Sequence, residues 1–170
     1  MTVFPPSDHP QSENRESFVM LRISKKLMFA IEAVLDIAYN AGTEPVQSGE
    51  ITRRQGIPKR YLEQVLQQLV REGVLAGVRG PRGGYRLARE RRRITLGEIV
   101  KVVRAMETAT DPIEEPAGSV LGHQVVRPLW GELQDECMAK LDTITIEDLC
   151  MRARRAGVES ETEDRIDFTI

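Results

Sequence analysis

Between Ile57 and Arg89 the chain passes from a helical period to a strand period with no spacer, and this junction restricts the fold more than any other feature. "IPKRYLEQVLQQLVREG" puts Leu62, Val65, Leu66, Leu69 and Val70 on one helical face, with Pro58 in the first turn and Gly73 at the end. "VLAGVRG" and "GYRLAR" follow as short, beta-capable segments around the tip "GPRG". A strand, a glycine-rich tip and a second strand directly after a helix predict a winged helix.

The stretch "VRGPRGGYRLAR" also invites a nucleotide-binding reading. It does not match GxxxxGK[ST], and no dinucleotide-type glycine spacing follows a strand and opens a helix. A plain hairpin turn is the simplest alternative. Beside a candidate recognition helix, however, Arg79, Arg82 and Arg86 are expected to project from a wing. Glycines there allow close approach to a sugar–phosphate backbone, and Arg82 suits a minor groove.

Two helices are expected before this unit. Ser24 is a candidate N-cap for "KKLMFAIEAVLDIAYNAG", in which Leu27, Met28, Ile31, Val34, Leu35 and Ala38 return to one face. "QSGEITRRQG" reads as a short helix capped by Ser48, with Ile51 inward and Gly56 closing it. Helix, short helix, turn, helix is the order of a helix-turn-helix, although ordinary bundles share it.

Beyond the hairpin, "ARERRR" is either a solvated charge run or a set of phosphate contacts. "TLGEIVKVVRAM" is a helix capped by Thr95, with Ile99, Val102, Val103 and Met106 inward. "TATDPIEEPAGSVLG" is a loop, and a long helix is expected after Pro128. On that helix Leu129, Leu133, Cys137 and Leu141 recur every four residues, widened by Val126, Trp130 and Met138. No other large element is available to cover this stripe, so a second copy of the chain is expected there. "TIEDLCMRARRAG" carries acids in its first turn and arginines in its last, as the helix dipole favours. The organisation expected is a disordered arm at 1–20, a winged helix-turn-helix domain at 21–93, a helical dimerisation region at 94–156 and a solvated acidic tail at 157–170. The fold class is mainly α with a small β-hairpin wing.

Charge follows the same division. Residues 50–106 hold 14 Lys and Arg against 5 acids, whereas residues 107–170 hold 6 against 15. The net charge of −2 therefore conceals a basic middle, and local positive charge governs phosphate attraction. No apolar run is long enough to span a membrane, and the first 20 residues have neither the basic start nor the apolar centre of a secretory signal. Two cysteines, Cys137 and Cys150, build no disulfide framework, and a reducing cytoplasm is the expected location.

The segments "RISKKLMFAIEAVLDIAYN", "QGIPKRYLEQVLQQLVREGVLAGVRGPRGGYRLA", "TLGEIV" and "LWGELQDECMAKLDTITIEDL" together resemble the bacterial Rrf family of winged helix-turn-helix regulators, the IscR, NsrR and CymR type. The resemblance implies a homodimer joined by its long helix, with the third helix in the major groove and the wing in the minor groove of double-stranded DNA. It places recognition at Pro58, Lys59, Arg60, Tyr61, Glu63 and Gln64, and wing contacts at Arg79, Pro81, Arg82, Gly83 and Gly84. Chemically, Lys59 and Arg60 reach phosphates or guanine edges, Gln64 pairs with adenine, and Glu63 accepts from cytosine N4. Tyr61 equally suits packing against the domain, and Glu63 equally suits pairing with Arg60 or holding Gln67.

Cluster-binding members of that family carry three cysteines in the loop before the long helix, and "TDPIEEPAGSVLGHQVVRPLW" carries none. No cofactor and no metal are therefore expected, and Cys137 and Cys150 read as small core residues. His123 with Asp111, Glu114 and Glu115 reads as a solvated loop before a weak metal site. In this loop and in "LDTITIEDL" the resemblance leans toward the cluster-free cysteine-metabolism repressor, which implies a regulatory protein partner such as a cysteine-biosynthetic enzyme. The expected function is a sequence-specific repressor. The alternative is a protein-interaction module on a winged scaffold that no longer reads DNA. No nucleophile–base pair, paired carboxylates or cofactor loop supports an enzyme.

Overall fold

The computed structural model describes residues 23–42, 44–107, 111 and 113–161. The arm expected at 1–20 and the tail beyond Glu161 lie outside the described residues. Helix α1 (Lys25–Asn40) is followed by α2 (Ser48–Gln55), α3 (Lys59–Arg71), the hairpin β1 (Leu75–Val78) and β2 (Gly84–Leu87), then α4 (Leu96–Met106), α5 (Arg127–Asp142) and α6 (Ile146–Arg155). The hairpin is antiparallel, pairing Leu75 with Leu87 and Val78 with Gly84.

Ser24 caps α1 as expected, its Oγ accepting from the Leu27 amide at 3.1 Å. The buried face of α1 is rotated from the one expected. Ala30, Ala33, Val34, Ile37 and Ala38 are buried, whereas Met28 is exposed. The cause is size: alanines contribute little to an apolar pattern but let neighbouring helices approach closely. Two helix starts also shift. Gln47, not Ser48, caps α2 and forms a reciprocal box with Glu50. Pro58 is the cap of α3 rather than part of its first turn, its carbonyl accepting from the Tyr61 and Leu62 amides. Between α2 and α3 the chain turns at Gly56, at φ 65°, a left-handed conformation that favours glycine, and passes through Ile57 and Pro58 into α3.

One apolar core runs through the molecule. Ile37 of α1, Ile51 of α2, Leu62, Leu66 and Leu69 of α3, Leu75 of β1, Ile99 of α4, and Ile146 and Cys150 of α6 belong to the same buried cluster. α4 and α6 begin side by side: Leu96 N donates to Ile144 O at 2.8 Å and Ile146 N to Ile94 O at 2.9 Å. Each start carries a capping box, Thr95 with Glu98 and Thr145 with Asp148. Gly97 lets α4 meet the end of α5 at close range, since a Cβ there would lie 1.8 Å from Asp142 Oδ1.

The long helix begins earlier than expected. Helical backbone starts at Val120 and passes through a π-helical turn, Gly122–Val126, into α5. Pro128 lacks an N–H and its ring crowds the preceding turn, and the wider π turn accommodates both. None of the 16 residues of α5 is buried. Leu129 is 55% and Leu133 46% exposed, and Val125 and Val126 extend the same apolar surface.

Candidate nucleic-acid interface

The first turns of α3 and the wing tip come together at one side of the molecule. Lys59, Arg60 and Gln64 are exposed, opposite the buried Leu62, Val65, Leu66 and Leu69. Arg79, Pro81 and Arg82 are exposed at the tip. There the Gly83 amide donates to Gly80 O at 2.9 Å, closing a turn with Pro81 and Arg82 at its centre. An open groove separates wing from helix, and Lys59, Arg79, Pro81, Gly83 and Gly84 all line it. Arg60, Tyr61, Glu63, Gln64 and Arg82 do not line this groove.

The wing is built on a close backbone contact. Val46, just ahead of α2, exchanges two backbone hydrogen bonds with Tyr85 of β2. A Cβ on Gly84 would stand 2.4 Å from Val46 O, and one on Gly83 would stand 2.4 Å from Val78 O. Glycine at both positions is a steric requirement of the tip. The contact also brings Gln47, Ser48 and Gly49, at the start of α2, into the groove. Sequence reasoning missed these three; the position of "QSG" at a helix start was the available signal.

Tyr61 and Glu63 are drawn partly inward. The Tyr61 ring meets Phe29 edge to face, with centroids 5.7 Å apart, and burial together with the Glu107 charge pushes its phenol up. Glu63 pairs with Lys59 at 3.9 Å, not with Arg60. Burial and the Glu63 charge likewise push the Tyr85 phenol up. The "ARERRR" run is largely committed within the chain. Arg89 donates to Gly73 O, Arg93 O and Glu98, Arg91 pairs with Glu147, and Arg92 pairs with Glu90.

A second group that sequence reasoning missed ties α1 to α2. The Asp36 side chain is fully buried in α1 and accepts from both donors of one edge of the Arg54 guanidinium, Nε at 2.8 Å and Nη2 at 2.7 Å. Gln55 Nε2 at 2.9 Å and Asn40 Nδ2 at 3.2 Å complete its coordination. A buried carboxylate is tolerated when paired and hydrogen-bonded to this extent. Its signal was an acid inside the apolar run "AVLDIA".

In the loop before α5, Arg127 donates to the carbonyls of Glu115 and Ala117 and lies 2.9 Å from His123 Nδ1. His123 therefore faces a guanidinium, an unfavourable place for a metal ion.

The short helix α2, the helix α3 that follows it across a tight turn and the hairpin wing define this chain as a winged helix-turn-helix regulator of transcription. It belongs to the Rrf2 family, described as iron-dependent transcriptional regulators, which it matches over residues 23–152. The HTH-type transcriptional regulator IscR of Cronobacter sakazakii is 35% identical over 130 residues, 76% of this chain and 80% of the relative. The structure of CymR, the global cysteine regulator of B. subtilis, superposes with a TM-score of 0.63 at 30% identity, covering 78% of this chain and 98% of that one. IscR of T. potens gives 0.65, also at 30% identity, over 85% and 96%. The two structures are equal in identity and the IscR relative stands at 35%, so the leaning toward the cysteine regulator rests only on the loop and the "LDTITIEDL" segment.

The donor set does not fit an iron–sulfur cluster. Residues 108–128 contain no cysteine, and clusters are held by thiolates. Among the described residues no three or more His, Cys, Asp or Glu side chains gather as metal ligands. Cys150 is buried in the core, and burial pushes its thiol up, keeping it protonated. Cys137 is exposed on α5, which corrects its expected place in the core of a single chain.

Proposed function

We propose that this protein is a cytoplasmic, homodimeric DNA-binding repressor that reads a near-palindromic operator and holds no iron–sulfur cluster. The observation that carries the reading is the groove in which Lys59 and the wing tip face one another beside the exposed Arg60 and Gln64. Arg60 and Gln64 read base edges in the major groove, while Lys59, Arg79 and the start of α2 hold phosphates. Pro81–Gly84 follows the backbone into the minor groove, with Arg82 at its tip. Tyr61 and Glu63 contribute mainly by holding the helix and Lys59 in place.

The apolar face of α5 pairs with that of a second copy, and two readers related by a two-fold axis require a two-fold operator. The family's iron dependence gives no cluster here, because the loop supplies no thiolate. Control of DNA affinity is assigned to a small molecule, a redox change or a regulatory protein partner, and the resemblance to the cysteine regulator makes a cysteine-biosynthetic enzyme the protein candidate.

The test is selection of binding sites from random duplexes at fixed salt, repeated with cell extract. Recovery of an inverted repeat whose binding is lost on Arg60→Ala and Arg82→Ala supports the reading. Recovery of no site by a folded dimer overturns it in favour of a protein-interaction module.

A further inference from the structure

The chain returns to the helix-turn-helix beyond the span that matches the family. After α6, the Tyr39 hydroxyl donates to Val158 O at 2.6 Å. The Ser160 hydroxyl, buried, donates to Tyr39 O at 2.9 Å, and the Glu161 amide donates to Asn40 Oδ1 at 3.1 Å. The Glu161 carboxylate then spans both arginines of α2, with Arg54 Nη1 at 2.6 Å and Arg53 Nη2 at 2.7 Å. This segment was expected to be solvated; instead it is tied down at each of these points, because α2 offers two cations that α1 alone does not neutralise.

Arg54 explains why the tie matters. Its guanidinium is a rigid fork of five donors, and one edge is taken by the buried Asp36. Glu161 takes the remaining Nη1, and its own amide is held by Asn40 at the end of α1, so the last turn of α2 is tied to α1 a second time. That turn leads through Gly56 directly into α3. A shift of α2 therefore moves the recognition helix, and the residue that prevents it lies 107 positions away in sequence.

We propose that residues 158–161 form a positioning strap for the DNA reader, with Glu161 acting through Arg54 to set α2 and the start of α3. The inference rests on the proposed reading of α3 as the recognition helix. It concerns a segment outside residues 23–152 that match the family.

The test uses the full chain with Glu161→Gln and Glu161→Asp. Amide exchange of residues 50–56 is measured without DNA, alongside affinity for the selected duplex and for a random duplex at one salt concentration. In Glu161→Gln, exchange in α2 rises by roughly fivefold, as expected when a partly exposed charge-assisted pair is lost from a local unit. Affinity for the selected duplex falls by about the same factor while affinity for the random duplex holds, and Glu161→Asp recovers most of both effects. General destabilisation does not change that ratio. Unchanged exchange in α2 overturns the strap. So does tighter binding to both duplexes with a steeper salt dependence, which means that Glu161 merely shields Arg53 from phosphate. If wild type binds neither duplex, the DNA-reading assignment fails and the exchange result alone decides the strap.

Discussion

Tyr85 in the wing and Val46 ahead of α2 are joined by two backbone hydrogen bonds, Val46 N to Tyr85 O at 3.0 Å and Tyr85 N to Val46 O at 2.8 Å. This bridge couples the hairpin to the start of α2, in addition to the packing of Leu75, Tyr85 and Leu87 on the core, so the residues ahead of α2 help to set the wing's position over the groove. Gly84 is the point at which the coupling is most easily broken, because its backbone packs directly on Val46 O. Gly84→Ala is expected to destabilise the fold by about 1–3 kcal/mol, the usual range for inserting a methyl group into a filled site. Urea unfolding checks the stability. Val46 and Tyr85 amide exchange, measured on the same variant, rises together if the bridge is the casualty.

Asp36 is the second structural hinge, and removing it leaves Arg54 with one partner instead of two. Breaking a buried ion pair by deleting one member strands the other charge. Asp36→Ala is expected to cost about 3 kcal/mol, toward the low end for such pairs because Arg54 keeps Glu161 and is not wholly buried. The midpoint of a urea transition measures it. A change below roughly 1 kcal/mol contradicts the assignment of Asp36 as the anchor of α2.

What the sequence disclosed and what it withheld divide by range. The α3 stripe, the hairpin and the Thr95 cap rest on neighbours a few residues apart, so pattern and turn chemistry were enough to find them. The buried face of α1 was misplaced because Ala30 and Ala33 weigh little in an apolar pattern yet decide how closely helices approach. Asp36 went unread because the arginine that neutralises it and Gln55 stand 18 and 19 residues away, and Glu161 because its partners stand more than 100 away. Exposure of Arg60 and Gln64 was legible from the opposite apolar stripe. The inward commitment of Tyr61 depends on Phe29, and no local pattern announces that pairing.

The strap should weaken in acid. Hydrogen bonding from Arg53, followed by the charge and hydrogen bonds of Arg54, holds the Glu161 carboxyl below its ordinary range. A carboxyl with a lowered folded value stabilises fully above its unfolded value, and the stabilisation is lost as pH falls through the folded value. Protection of α2 amides in wild type relative to Glu161→Gln is therefore expected to stay constant from neutral pH down to the ordinary carboxylate range. It should disappear below that range. Amide exchange of both proteins across this interval, corrected for intrinsic rates, provides the check. A difference that disappears above that range contradicts the pairing.

The α5 surface makes a separable prediction. Leu129 and Leu133 are exposed within one chain, so charging them leaves the buried core of that chain intact. Leu129→Glu with Leu133→Glu is expected to yield a folded monomer, with the far-ultraviolet circular dichroism of the wild type and half its sedimentation mass. A dimer that persists at micromolar concentration places the association surface elsewhere.

Salt dependence separates phosphate contacts from base contacts at the reader. Arg82, at the exposed tip between Gly80 and Gly83, has the position of a backbone or minor-groove contact, whereas Gln64 sits on the exposed face of α3. Each phosphate neutralised releases condensed counterions, so Arg82→Ala is expected to make the slope of log affinity against log salt shallower by about 1, with similar losses on selected and random duplexes. Gln64→Ala leaves that slope unchanged and relaxes preference at one base pair per half-site, by about 1–3 kcal/mol. Binding titrations at four or more salt concentrations, on the selected duplex and its single-base variants, measure both quantities. An unchanged slope in Arg82→Ala removes the wing tip from the phosphate contacts, and unchanged base preference in Gln64→Ala removes that residue from the reading face.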